Sequence, residues 1–313
     1  MLKMFSANVA TGSSPEHWDT SWEAGDMPQA LADPRVCEND PNYALLMAKV
    51  RPDRLFLEGG CGQGQWVKYF HERGYRALGI DFAPRVIERF RRLVPGADAR
   101  VGDIRHLPLA DGEAHTYYSG GVVEHDESGP EPALAEARRV IAADGWFLCS
   151  VPDNTRLRDR LLFRRDVTHR PDLDPPMIVT RVGETRAEPP PAGMTFFQYA
   201  FGADEFVRRL EDAGFEVVDS FGYAATWGLM EVPYLGPLFQ RLTSSRPATP
   251  VPPPANGSAA PAVPTPARRG ALKELVIRAV IREDRTMPVA GPLIRFATEH
   301  FANMRMFVAR PRG

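Results

Sequence analysis

Residues 55–64 read LFLEGGCGQG, an apolar run that ends in an acid, Glu58, and opens into four glycines at Gly59, Gly60, Gly62 and Gly64. Leu55, Phe56 and Leu57 predict a strand buried on both faces, and residues 66–73 predict a helix that Gly74 closes. Glycine lets a chain turn sharply and approach a ligand with no Cβ in the way, while the first turn of the following helix offers N–H groups to a carboxylate or phosphate. Strand, glycine turn and helix in this order make a nucleotide-type site. Two registers fail. G-x-G-x-x-G needs a glycine where Gln65 or Val67 stands, and a phosphate loop needs Gly-Lys-Ser/Thr where Gly64 is followed by Gln65 and Trp66.

Glu58, Gly60, Gly62 and Gly64 instead resemble the first motif of the class I S-adenosylmethionine-dependent methyltransferases, an acid followed by G-x-G-x-G. Downstream, RALGID (76–81) is a second strand ending in Asp81, 17 residues after Gly64. An acid at the carboxyl end of a second parallel strand is placed to accept from two ribose hydroxyls, and Phe82 follows it. RVGDIRHLP (100–108) brings Asp103 and Ile104 in after a third strand. There the resemblance implies an acid on the adenine amino group and a backbone N–H on a ring nitrogen. TYYSGGVV (116–123) is a fourth strand and turn, where Ser119 and Gly120 are expected to offer carbonyls to the ligand's amino group and sulfonium.

The resemblance therefore implies S-adenosyl-L-methionine as cofactor, held by Glu58, Gly60, Cys61, Gly62, Gly64, Asp81, Phe82, Asp103, Ile104, Ser119 and Gly120. Cys61 reads as a small residue in a crowded turn. The sequence departs from the family at His115, where an acid is usual before the fourth strand. His125, in the Glu124-His125 pair, is the candidate catalytic base, since a neutral imidazole beside the methyl donor can take a proton; orienting the next helix is an equal reading.

Strands alternating with amphipathic helices predict an α/β fold. By resemblance it is a Rossmann-like, doubly wound, seven-stranded, mostly parallel sheet whose last strand is antiparallel and lies between the fifth and sixth, with lid insertions added. Residues 1–38, polar and irregular apart from Trp18 and Trp22, are expected to be an arm, and 39–225 with 303–313 the methyltransferase domain. An acceptor-side insertion spans 152–202, and a second spans 226–302, including 243–270, whose eight prolines predict a disordered linker. Within the first, Arg156, His169, Gln198 and Tyr199 are the candidate substrate-binding residues. After the linker, Leu272, Leu275, Val276, Ala279 and Val280 form one helical stripe among Arg268, Arg269, Lys273, Arg278 and Arg282. Packing on its own domain is the favoured reading of that stripe, and contact with an anionic membrane surface is the other.

Lysine and arginine total 38 against 40 acids, a net charge of -2, which lacks the basic signature of a dedicated nucleic-acid binder, so no nucleic-acid partner is expected. Cys37, Cys61 and Cys149 form no C-x-x-C pair and read as reduced thiols, and no metal-ligand cluster is apparent. No stretch has the length of a membrane span, so the expected place is the cytoplasm, with peripheral contact at the inner membrane face as an added option. These readings converge on methyl transfer from S-adenosylmethionine to an oxygen, or a nitrogen, of a small molecule, sugar or lipid-linked glycan. A non-catalytic S-adenosylmethionine-binding scaffold is the alternative, and the oligomeric state is not legible.

Overall fold

The strand at the head of the glycine turn is an inner strand of the main sheet and is itself buried on both faces. The structure, a computed structural model, describes residues 1–6, 14–23, 27–163, 167–170, 177–182, 192–230, 275 and 277–313. In chain order the first elements are β1 (Leu2–Ser6), α1 (Pro15–Glu23), α2 (Met27–Ala32), α3 (Arg35–Glu38) and α4 (Tyr43–Lys49). The nucleotide-type core follows as β2 (Phe56–Gly59), α5 (Gln65–His71), β3 (Ala77–Asp81), α6 (Pro84–Leu93), β4 (Asp98–Val101), β5 (Ala114–Gly120), a 3-10 turn (Val123–His125), α7 (Glu131–Val140) and β6 (Ile141–Pro152). After it come α8 (Arg156–Leu162), β7 (Val167–Arg170), β8 (Met177–Arg181), β9 (Thr195–Ala200), α9 (Ala203–Asp212) and β10 (Phe215–Tyr223). The chain continues through α10 (Ala225–Met230), a π turn (Ile277–Ile281), α11 (Gly291–His300) and β11 (Met304–Pro311).

The main sheet runs β10-β11-β6-β5-β2-β3-β4. β2 is parallel to β3 and β5, β3 to β4 and β5 to β6, whereas β11 runs antiparallel between β6 and β10. This is the expected doubly wound order, last strand included. Successive residues of β2 serve opposite layers: Phe56 packs on Phe70 of α5 with ring centroids 4.7 Å apart, and Leu57 enters the core formed by Leu134, Phe147 and Phe206. Both are fully buried, which is why the run reads as continuously apolar rather than alternating.

Residues 1–38 differ from expectation. They form one strand and three helices among the described residues, and β1 lies between β8 and β9 in a second, four-stranded antiparallel sheet, β7-β8-β1-β9. The physical reason is visible in LKMFS: Leu2 and Met4 bury in one small core with Leu162, Phe163, Val179 and Ala200, and Phe5 turns to the main core. The arm and the 152–202 insertion thus build one sheet. The helix α1 is fastened by Asp19, whose carboxylate accepts from the backbone N–H of Arg85 at 2.9 Å and of Val86 at 3.1 Å. It supplies the cap that Ala83, at the start of α6, has no side chain to make.

The predicted linker 243–270 lies outside the described residues, as do Arg164 and Arg165 of the first insertion and Arg268, Arg269, Leu272, Lys273 and Val276 of the basic stripe. Among the described residues no helix is long and apolar enough to cross a membrane.

Candidate active site

A cavity of about 1080 Å³ opens where the parallel strands end. Gly60 and Cys61 line it after β2, Asp81 and Phe82 after β3, Gly102 to Arg105 after β4, Gly120 to Glu127 after β5, and Pro152 to Asn154 after β6. The second sheet closes the other side with Met4, Met177, Val179, Phe196 and Gln198, and α1 adds Trp18 and Trp22. Open α/β sheets bind ligands at this end because every loop there follows a strand of the same direction.

In one half of the cavity the glycine turn and the acids meet. Asp81 Oδ2 accepts from the Gly62 N–H at 2.8 Å and Oδ1 from the Ala83 N–H at 3.0 Å, so the carboxylate ties the turn to β3. Gly62 has φ +49°, and a Cβ there would lie 2.8 Å from the Trp22 ring, so both backbone conformation and space require glycine. Glu58 is buried, its carboxyl pushed well above the usual range by desolvation, and its Oε2 receives no hydrogen bond among the described residues. A buried acceptor without a donor is costly, so this oxygen suits a ligand that brings an ammonium or other N–H. Asp103 accepts from the backbone N–H and guanidinium of Arg105, whose other arm reaches Asp126. Cys61 packs against Gly79 and burial raises its thiol, as a small residue in a crowded turn should behave.

The other half is built on the 3-10 turn. His125 Nδ1 lies 2.8 Å from the carbonyl oxygen of Phe197, and since a carbonyl can only accept, Nδ1 carries the proton and Nε2 keeps its lone pair. The ring is held between Trp18 and Phe197, at centroid distances of 4.7 and 5.1 Å. Its Nε2 is 3.9 Å from Glu124 Oε1. Burial pushes His125 down to about 4 and the Glu124 carboxyl up to about 8. At neutral pH the imidazole is neutral and the carboxyl mostly protonated.

A family model described as a methyltransferase domain matches residues 57–149, from β2 to near the end of β6. A protein of Mycolicibacterium smegmatis whose name places it among S-adenosylmethionine-dependent methyltransferases is 28% identical over 181 residues, covering 57% of this chain and 58% of the relative. Residues 57–149 are a methyltransferase domain of the class I S-adenosylmethionine-dependent type. The malonyl-[acyl-carrier protein] O-methyltransferase of Serratia marcescens is 33% identical over 114 residues, 36% of this chain and 44% of the relative. The chain thus spans about half the length of these curated relatives. In fold it is similar to a chain of the solved complex between a Haloferax volcanii methyltransferase activator and a methyltransferase, with a TM-score of 0.51, 14% identity, and coverage of 95% of this chain and 98% of that one.

Of the residues expected to hold the donor, Glu58, Gly60, Cys61, Asp81, Phe82, Asp103, Ile104 and Gly120 line the cavity. Gly62, Gly64 and Ser119 do not: Trp22 covers Gly62, Gly64 starts α5 against Phe90, and Ser119 is a buried residue of β5. His125 lines it as expected. Of the four acceptor candidates only Gln198 does. Arg156 is solvent-exposed and pairs loosely with Asp204, and His169 is exposed on the edge strand β7. Tyr199 points the other way from Gln198 on β9, donates to the Glu127 carbonyl and packs on Phe196 and Phe201. Sequence reading missed Glu124, Asp153, Asn154 and the apolar walls from β1, β8 and β9. The rule that picked Asp81, an acid where a parallel strand ends, applies equally to Asp153.

Proposed function

We propose that this chain transfers a methyl group from S-adenosylmethionine to an oxygen of a small molecule, with Glu58, Asp81 and Asp103 holding the donor and His125 as the base. S-adenosylmethionine, when bound, supplies a methyl group already made electrophilic by the sulfonium. What the protein adds is alignment, exclusion of water and removal of a proton. The observation that carries the reading is the continuity of one cavity from the Asp81–glycine-turn lock to His125, whose tautomer is fixed by the Phe197 carbonyl so that an unprotonated Nε2 remains. An acceptor hydroxyl would give its proton to Nε2 as its oxygen bonds to the methyl carbon and the sulfur–methyl bond breaks to leave the neutral thioether, and Glu124, 3.9 Å away, is the next group able to hold that proton when ionised. Oxygen rather than nitrogen is favoured because the Serratia marcescens relative is named an O-methyltransferase. The wall is largely aromatic and aliphatic, with Phe163, Phe196, Phe197, Met177 and Trp227, which supports a compact acceptor with apolar surface over a bulky lipid-linked glycan.

The test has two steps. Calorimetric titration with S-adenosylhomocysteine is expected to give micromolar binding that Asp81→Ala and Asp103→Ala weaken. Radiolabelled methyl transfer is then measured against a panel of phenols, alcohols, carboxylates and amines. Tight donor binding with no transfer to any acceptor would refute catalysis and leave a donor-binding scaffold.

A further inference from the structure

Three buried oxygens in the wall of the acceptor half receive no hydrogen bond among the described residues: Glu124 Oε2, Asp153 Oδ1 and Asn154 Oδ1. The last two stand side by side in sequence where β6 ends. Asp153 is 1% exposed, and its Oδ2 accepts from Arg305 Nε at 2.9 Å. Asn154 donates its Nδ2 to Asp159 Oδ1 at 3.0 Å, which identifies the carbonyl end of the amide as the unpartnered one. Native structures rarely leave such oxygens without a donor, so a molecule in the cavity is the natural source of one.

The surrounding charge says what kind of donor. Arg305 neutralises Asp153, and Arg158 sets a second guanidinium beside it, with Nη1 donating to the Asp153 and Ala302 carbonyls and Nη2 to Asn303 Oδ1. Because the Arg305 guanidinium already neutralises Asp153, an ammonium would find no unbalanced negative charge there. A carboxylate or phosphate would present only acceptor atoms to oxygens that already lack donors. A neutral O–H meets both conditions. Around it the wall is apolar, with Phe163, Val179, Met304 and Trp227.

We propose that Asp153 and Asn154 form an anchoring subsite that takes a hydroxyl of an otherwise apolar, uncharged acceptor, separate from the atom methylated beside His125. This rests on the methyltransferase reading of the cavity, and the experiment separates the two. Protein saturated with S-adenosylhomocysteine is titrated with 4-hydroxybiphenyl, 4-methoxybiphenyl and biphenyl-4-carboxylate, followed by ligand-observed NMR. The hydroxyl compound is expected to bind at least about tenfold more tightly than the ether or the carboxylate, the discrimination a buried unpaired acceptor can enforce. In Asn154→Ala, which leaves the Asp153–Arg305 pair intact, and in Asp153→Asn, that preference should shrink to within about threefold while S-adenosylhomocysteine affinity, the check on folding, is retained. Equal binding of hydroxyl and ether, a preference for the carboxylate, binding of none of the three, or a preference unchanged in both variants overturns the subsite. Failure of S-adenosylhomocysteine to bind folded wild-type protein removes the methyltransferase reading itself, and the subsite with it.

Discussion

Replacing Glu124 by Gln should make the protein more stable, and more so the higher the pH. The carboxyl is buried beside a neutral imidazole, and desolvation raises it from 4.5 to about 8. A group whose folded value is raised contributes stability that is fully present below its unfolded value and is lost as pH rises through the folded one. Between pH 4.5 and about 8 the unfolded chain has released this proton and the folded chain has kept it, so stability falls by about 1.4 kcal/mol per pH unit, on the order of 5 kcal/mol across the window. His125 acts with the opposite sign. Burial lowers it from 6.5 to about 4, so its contribution is complete above pH 6.5 and is lost as pH falls toward about 4. From pH 4.5 to 6.5 the two slopes cancel, and above 6.5 only the Glu124 loss remains. Urea denaturation at about pH 5, 6.5 and 8 should therefore show the Gln variant gaining on the wild type by roughly 4 kcal/mol between the first and last condition. Glu58, also raised by burial, titrates in both proteins and drops out of the difference. Stability curves that stay parallel to within about 1 kcal/mol would refute the reasoning.

Asp81→Ala removes the acceptor for the Gly62 and Ala83 N–H groups as well as the ribose contact proposed for it, and should weaken S-adenosylhomocysteine binding at least about tenfold by calorimetry; unchanged affinity would show that the acid does not order the turn. Gly62→Ala drives a methyl group into Trp22 at a positive φ and should cost about 1–3 kcal/mol in urea melts, part of it recovered when Trp22→Ala is added; no recovery would mean that backbone strain alone is responsible. His125→Gln should lower kcat/KM by roughly 10²–10⁴ with donor affinity intact, and full activity would return His125 to a purely structural role. Because Glu124 is the neighbouring proton holder, kcat should rise as pH passes about 8, and that rise should vanish in Glu124→Gln.

The donor half was legible because its information is local. Glu58, the glycine turn, Asp81 and Asp103 each stand within a few residues of the strand that presents them, and the strand pattern is explicit in Phe56, Leu57 and Ile80. The acceptor half was not, because its walls depend on pairings between distant segments. Nothing in MLKMFS says that Met4 will oppose Gln198, yet this register decides which side chains of β9 face the cavity. Gln198 and Tyr199 are neighbours on one strand, yet Gln198 lines the cavity while the Tyr199 hydroxyl donates to the Glu127 carbonyl. Arg156 and His169 lie at the right place in sequence, but one is on the outside of α8 and the other on a sheet edge. Asp153 lies at the start of the 152–202 insertion, and its burial depends on contacts such as that with Arg305, 152 residues further along the chain.

The position of β1 between β8 and β9 makes the acceptor wall a non-transferable part. A segment cut from 152–202 and grafted onto a related enzyme would bring β7, β8 and β9 without the strand that joins them, leaving facing edges of β8 and β9 unpaired and the contacts of Leu2, Met4 and Phe5 unmade. Changing acceptor preference by exchanging modules would have to move two stretches separated by most of the catalytic core. The same arrangement sets an order of assembly: β1 is made before β8 and β9 and must wait for them, so the wall is completed only after the strands β2 to β6, which precede them in the chain, exist.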